Sequence, residues 1–333
     1  MPDAPAPVDT RPERSPWLKV LGVVIGLSLA VPLMLLAFVT PMINSGPDDL
    51  PLGISGPEQV TEGIAQQLDQ NRPGAFEISQ YDSAEAVTEA VQDRDVIGGI
   101  SVGADGAITV TTAGGAGTPY ANLLKGLGSG LEQTGATVTY DDVAPLTEED
   151  PNGTGLNALA LPLIFGGMIS AVLLSTLLKK RPWLRIVGSL AASVAVGFAV
   201  VAILQFGFGS VDGNYIGTAL ALTLGMAAIS LFILGLESLL GFPGLGLGAA
   251  LMMFIGNPLS GMATGWQWLP SPWGIIGQLL PPGSAGTLLR SVAFFDGHGA
   301  ATSIIVLSCW AALGIVLTAL SALRTKRTGE LRA

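Results

Sequence analysis

Long apolar runs dominate the hydrophobic pattern of this chain. Residues 20–39 carry no charge, and five later uncharged runs are 18 to 23 residues long. A helix that crosses a bilayer needs roughly 20 apolar residues. The pattern therefore predicts six transmembrane helices, at residues 18–40, 156–178, 186–208, 215–236, 238–255 and 302–323. A signal peptide is the alternative for the first run, but its apolar core is usually shorter and no A-x-A-like cleavage site follows here.

Residues 44–154 have a different pattern, in which short alternating runs are separated by amphipathic stretches. Asp82 and Glu85 are spaced like a capping box at the start of one such stretch. The order is βαβαββαβ, which predicts an inserted α/β domain that ends in a hinge-like linker at residues 145–154. The five predicted strands are residues 51–55, 76–80, 96–102, 107–112 and 137–140.

Residues 257–296 are nearly uncharged, yet their apolar runs at 273–280 and 287–295 are too short to cross a bilayer. Prolines at 270, 272, 281 and 282 prevent one continuous helix. The pattern favours a re-entrant segment of two short helices that dip into the outer leaflet before the last transmembrane helix. The tryptophans at 266, 268 and 273 would then lie at headgroup level, with Arg290 extended to the interface. The alternative is an apolar loop that rests on the other helices.

Composition supports a polytopic α-helical membrane protein. Hydrophobic residues make up 49% of the chain and charged residues 12%, and a soluble domain would have about a quarter charged. One cysteine and one histidine exclude an internal disulfide and a multi-histidine metal site. No P-loop and no nucleophile–base pair occurs, and the net charge is −10. The sequence predicts no enzyme, no cofactor, no metal site and no nucleic-acid partner.

Basic residues predict the orientation. Eleven of the 15 Lys and Arg residues lie in residues 1–19, 179–185 and 324–333, all on one side of a six-span topology. The positive-inside rule places both termini in the cytoplasm of a bacterial plasma membrane, with 1–17 and 324–333 as tails. The acidic α/β domain and residues 257–296 then face outward. Glu237 is either a functional intramembrane charge or a water-accessible residue at a cytoplasmic turn.

Four short motifs carry a family resemblance: PLSG at 258–261, LPSPW at 269–273, LLPPG at 279–283 and LLR at 288–290. Together with the helix order, they resemble the pattern between the last two helices of ABC-2-type transporter permeases. Residues 83–102, SAEAVTEAVQDRDVIGGISV, resemble the insertion of the related phage-infection-protein-like membrane proteins. The resemblance spans most of residues 18–323. The gate residues of the re-entrant segment would be Pro258, Ser260, Gly261, Pro270, Trp273, Pro281, Pro282, Gly283 and Arg290.

The resemblance implies a homo- or heterodimer of permeases in contact with membrane lipids, and a separate ATPase subunit. That subunit would dock on Lys179, Lys180, Arg181 and Arg185. The implied function is export of an amphipathic, lipid-like or drug-like substrate. One departure is that residues 1–16 cannot form the amphipathic helix that such permeases carry before the first span. The alternative is a non-transporting protein whose acidic domain binds a partner in a cell-envelope assembly or secretion complex.

Overall fold

The computed structural model describes residues 16–179 and 181–330. Helix α1 spans Pro16–Ile43 and leads into an α/β domain. The elements of that domain are β1 Leu50–Ser55, α2 Glu58–Asn71, β2 Phe76–Tyr81, α3 Ala84–Gln92, β3 Gly99–Val102, β4 Ile108–Thr112, a 3-10 turn Gly114–Ala116, α4 Thr118–Gln133 and β5 Val138–Asp142. The strands and helices follow the predicted order. The predicted cap was wrong by one residue, because Ser83 accepts the hydrogen bond from the Ala86 N–H.

The five strands form one mixed sheet in the order β2-β1-β3-β4-β5. Strand β1 pairs in parallel with β2 and β3, β3 pairs antiparallel with β4, and β4 pairs in parallel with β5. Ile64 of α2 and Leu124 of α4 cover one face of the sheet. The other face is covered by α3 and by Phe294 and Phe295, which lie far outside the domain in sequence.

The second half of the chain is helical. Its elements are α5 Thr154–Ala158, α6 Ala160–Leu177, α7 Pro182–Ala202 with a π turn Ile203–Gly207, α8 Tyr215–Leu240, α9 Phe242–Ala250 with a π turn Leu251–Gly256, a 3-10 turn Trp266–Trp268, α10 Trp273–Gln278, α11 Pro281–Phe294 and α12 Ala301–Glu330. Asn214 caps α8 by accepting from the Gly217 N–H at 2.9 Å.

Five helical segments of the described residues are long and apolar enough to cross a membrane: Trp17–Pro41, Thr154–Leu177, Pro182–Gly207, Tyr215–Leu240 and Ala301–Arg324. The chain therefore has the make-up of a multi-pass helical membrane protein. The predicted span at 238–255 differs, because α8 runs on to Leu240 and the remaining apolar helix is Phe242–Gly256. At 1.5 Å per residue its 15 residues extend about 22 Å, which is shorter than a hydrocarbon core of about 30 Å.

Helix α8 is the centre of the helical region, in contact with α6, α7, α9, α11 and α12. Its packing against α12 depends on two small residues. A Cβ on Gly314 would lie 2.3 Å from the backbone of Leu231, and a Cβ on Gly235 would lie 2.6 Å from the carbonyl oxygen of Gly314. Such close backbone approach is typical of helices that pack in lipid.

The segment between α9 and α12 contains two short helices, as predicted, but with different bounds. Helix α11 begins at Pro281, six residues before the predicted start at 287, because Pro281 and Pro282 occupy its first turn, where a missing N–H costs nothing. The prolines therefore begin a helix; the break lies just before them. Nearly every residue of α11 is buried, against α8, α12 and the α/β domain.

The linker predicted as hinge-like, residues 145–154, is hydrogen-bonded at its end to the start of α5. Asp150 is buried, and its carboxylate accepts hydrogen bonds of 2.7 Å from the backbone N–H groups of both Thr154 and Gly155. Burial opposes ionisation of Asp150, but these hydrogen bonds outweigh it and hold its pKa below the usual value. The carboxylate thus fastens the end of the α/β domain to the start of α5.

Candidate functional site at the junction of the two regions

Arg290 of α11 connects three parts of the protein. Its guanidinium donates to the carbonyl oxygen of Gly115 in the α/β domain at 2.9 Å. It also donates to Asn157 Oδ1 of α5 and to the carbonyl oxygen of Met262, both at 2.7 Å. The residue is only 5% exposed. The expectation that Arg290 extends to the headgroups was therefore wrong, because its donors are used inside the protein.

Arg94, which directly follows the cap of α3, reaches the same helix from the other side. Its Nη1 donates to Ser291 Oγ at 2.6 Å and to the carbonyl oxygen of Thr287 at 3.2 Å. The guanidinium carbon lies 4.9 Å from the centre of the Phe295 ring, a cation–π distance. Nearby, Asp93 and His298 pair at 2.5 Å on the surface. Sequence reasoning missed Arg94, although it is one of only three basic residues in the acidic segment.

The two arginines line one small cavity of about 20 Å³, together with Tyr120, Gln267 and Phe295. Neither guanidinium lies within ion-pair distance of a carboxylate in the part of the chain that the structure describes. Burial, and then the positive charge of Arg290, lowers the pKa of Arg94 to about 10, so Arg94 remains protonated at neutral pH. The junction therefore holds two positive charges, Arg290 buried and Arg94 half-buried, without a counter-charge among the described residues.

Aromatic residues close the same junction. Tyr120 of α4 donates to Gln267 Oε1 at 2.9 Å and packs edge-on against Trp268 with ring centres 5.7 Å apart. Burial raises the pKa of the Tyr120 hydroxyl, which therefore stays neutral. Trp266 lines the small cavity and Trp268 contacts the domain, whereas Trp273 is 48% exposed. Of the three tryptophans predicted at headgroup level, only Trp273 has an exposed side chain.

A second, larger cavity of about 320 Å³ adjoins Arg94. We call it the polar cavity; its lining includes Arg94, Trp266, Gln267, Gln278, Thr287, Thr302 and Ser303, with Ile275 and Leu279 at one side. Gln278 is held by Thr287 Oγ1, which donates to Gln278 Oε1 at 2.6 Å. The polar lining contains no acidic residue, so the cavity suits a ligand that accepts hydrogen bonds or carries negative charge.

A third cavity, of about 540 Å³, lies between α1 and the segment that follows α9. We call it the apolar cavity; its lining comprises Leu36, Ala37, Thr40, Pro41, Asn44, Phe254, Ile255, Pro258, Leu259, Pro270 and Trp273. No charged residue is among them. On the far side of Pro41 and Pro258 lies a further cavity of about 340 Å³. The apolar cavity is large enough and apolar enough for an alkyl chain.

The predicted gate residues fall into three groups. Ser260, Gly261 and Arg290 line the small cavity, whereas Pro258, Pro270 and Trp273 line the apolar cavity. Pro281, Pro282 and Gly283 form the buried first turn of α11. Helix α10 lies directly against the backbone of Leu259, because a Cβ on Gly277 would lie 1.7 Å from the Leu259 carbonyl oxygen. Only glycine permits this contact between the backbones.

The four residues predicted to dock an ATPase subunit do not share one surface. Arg185 is 9% exposed, and its Nη1 lies 2.5 Å from Glu237 Oε2. It also donates to the carbonyl oxygens of Leu178 and Ser175 near the end of α6. Arg185 is therefore used inside the protein, and Glu237 is its partner at the end of α8. Lys180 lies outside the described residues, and Lys179 and Arg181 remain as candidate docking residues.

In the described part of the chain, no three His, Cys, Asp or Glu side chains are grouped so that they could hold a metal ion. Comparisons with family models, curated proteins and solved structures gave no match. What the junction can bind therefore follows from its own side chains: two arginines, neutral hydrogen-bond donors and an adjacent apolar surface.

Proposed function

We propose that this chain is the permease subunit of an ABC-2-type exporter for an amphipathic, lipid-like substrate, driven by a separate ATPase subunit. The observation that carries the proposal is the apolar cavity between α1 and the segment after α9. Helix α1 has no buried residue in its most apolar stretch and touches the rest of the protein chiefly at the π turn Leu251–Gly256. A helix held so weakly can move aside and admit an alkyl chain from the bilayer.

The proposal includes six membrane crossings, both termini in the cytoplasm, and the α/β domain outside. The distribution of basic residues supports this orientation. The short helix Phe242–Gly256 would be the fifth crossing, extended by the turn that follows it. In a Cys309→Ser background, an impermeant thiol reagent applied to cells should label Asp105→Cys and fail to label Pro182→Cys until the cells are opened. Labelling of Pro182→Cys in intact cells would refute the orientation.

Filling the apolar cavity tests the export function. Ala37 lines the cavity, whereas Ala30 lies on the same helix and is exposed. In inside-out vesicles that contain the chain and its ATPase subunit, ATP-dependent accumulation of a fluorescent short-chain lipid should fall at least fivefold with Ala37→Trp. Ala30→Trp, a change of equal size outside the cavity, should leave it unchanged. Transport that is independent of ATP, or equal in both variants, would refute the proposal.

A partner-binding role of the acidic domain is the second candidate. It is favoured by the loss of Arg185 from the predicted docking surface, which leaves few basic residues for an ATPase. Co-expression with an ATPase subunit distinguishes the two functions. If the chain is an exporter subunit, Lys179→Glu with Arg181→Glu should abolish co-purification of the ATPase subunit. Arg72→Glu, on the surface of the α/β domain, should not. If the charge reversals leave co-purification intact, or no ATPase binds at all, the second candidate is preferred.

A further inference from the structure

We infer that the polar cavity binds the anionic headgroup, a phosphate or a carboxylate, of an amphiphile. The buried guanidinium group of Arg290 and the half-buried one of Arg94 line the adjoining small cavity, and in the described residues no carboxylate pairs with either. Burying charge without a partner is costly, and buried charges are usually paired. An anion beside Arg94 would supply the missing charge.

Unused hydrogen-bond donors surround the polar cavity. Arg94 donates only through Nη1 to the described residues, which leaves Nε and Nη2 available. The amide nitrogen of Gln267 and the hydroxyl groups of Thr302 and Ser303 also have no hydrogen-bond partner in the described part of the chain. A guanidinium fork with neutral donors around it matches the oxygens of a phosphate or carboxylate.

The polar cavity also offers an apolar surface to the rest of the ligand. Ile275 and Leu279 of the α10 region line one side of the polar cavity, and both side chains are more than half exposed. A ligand whose headgroup reaches Arg94 would therefore place its next atoms on an apolar surface. Free phosphate would make no use of this surface, whereas a short alkyl chain would. The lining thus favours an anionic amphiphile over a small anion.

As a statement about the exported substrate, this inference rests on the exporter proposed above; as a statement about binding, it needs no ATPase. Its failure would leave the transport experiment with Ala37→Trp unaffected. A failure of transport would likewise leave the binding measurement valid.

The test uses the full chain in a neutral detergent and measures thermal stability and tryptophan fluorescence, since Trp266 lines the cavity. The probes are dihexanoyl phosphatidylglycerol, the zwitterionic dihexanoyl phosphatidylcholine, and inorganic phosphate. We expect saturable binding of the anionic lipid at least tenfold tighter than that of the other two. Arg94→Gln should weaken it at least tenfold and Arg94→Lys less, while Arg72→Gln, an exposed arginine of the same domain, should have no effect.

A second variant keeps the inference testable if Arg94→Gln does not fold. Thr302 is exposed in the first turn of α12, where a carboxylate is favourable for the helix. Thr302→Glu should therefore keep the fold and repel the anion, whereas Thr302→Gln should bind it. Equal binding of both lipids, or wild-type binding by Arg94→Gln and Thr302→Glu, would overturn the inference. Phosphate that binds as tightly as the anionic lipid would refute the amphiphile as ligand.

Discussion

Arg185 and Glu237 join the ends of three helices through one ion pair. The Arg185 guanidinium also caps the C-terminus of α6, because it donates to the carbonyl oxygens of Leu178 and Ser175. Sequence reasoning placed Arg185 in the proposed docking loop and treated Glu237 as a possible intramembrane charge. It assigned them to separate roles because 52 residues separate them, and only the packing of α7 on α8 brings them together.

Breaking this pair should destabilise the helical region. Glu237→Gln leaves Arg185 partly buried without its counter-charge, and we expect a loss on the order of 2 kcal/mol. Thermal unfolding in detergent measures the change. In a double-mutant cycle, the cost of Glu237→Gln should be much smaller when Arg185 is already Gln, since the pair is then absent. Arg181→Gln, at an exposed neighbouring position, is the control. Additive losses for Glu237→Gln and Arg185→Gln would show that the ion pair contributes nothing.

At the scale of elements, apolar periodicity predicted most helices and strands, and their order, because length and period are local properties of the chain. The errors occurred where a boundary depends on contacts. Helix α8 runs three residues past Glu237, whose carboxylate pairs with Arg185, and ends at Gly241, which has a positive φ. Helix α11 begins six residues early because Pro281 and Pro282 fit its first turn, which packs closely against Gly256 and the backbone of Gly277.

The contact between α8 and α12 gives a test at this scale. Gly314→Ala should lower the melting temperature of the full chain, because the new Cβ would lie 2.3 Å from the Leu231 backbone and would force the helices apart. Gly246→Ala on α9 is the control, since nothing lies within 4 Å of its Cβ position. There alanine should be neutral or stabilise by up to about 1 kcal/mol, as it does in ordinary helices. Equal behaviour of the two variants would show that α12 is not packed so closely.

At the scale of the whole molecule, the α/β domain and the helical region share one interface. Sequence reasoning predicted an inserted α/β domain formed by residues 44–154 alone. The structure adds Phe294 and Phe295 to the core beneath α3, and Phe294 lies where a Cβ on Gly115 would approach within 2.5 Å. No local pattern could have predicted this contact. The sequence around residue 294 indicates the apolar end of a helix, but it does not indicate which surface that end packs against.

Removing one of these rings should loosen the domain. Phe295→Ala in the full chain should cost about 3–5 kcal/mol, as expected for a buried phenylalanine. Limited proteolysis should then cleave within residues 84–116 while α12 stays intact. Phe242→Ala, at a position that is 82% exposed, should not increase cleavage. Residues 44–150 expressed alone should show mixed α/β circular dichroism and bind a hydrophobic dye. Cooperative unfolding of this fragment without dye binding would contradict the shared core.

The late position of Phe294 and Phe295 has a consequence for synthesis of the chain. All five strands and helix α3 leave the ribosome about 150 residues before these two rings do. At about 5–20 residues per second, the growing chain exposes the apolar face beneath α3 for roughly 8–30 s. During that interval the surface around Val87, Val91 and Ala113 is open to aggregation or to a chaperone. Arrival of α11 then both completes the domain and anchors it, so maturation of the two regions ends in a single step.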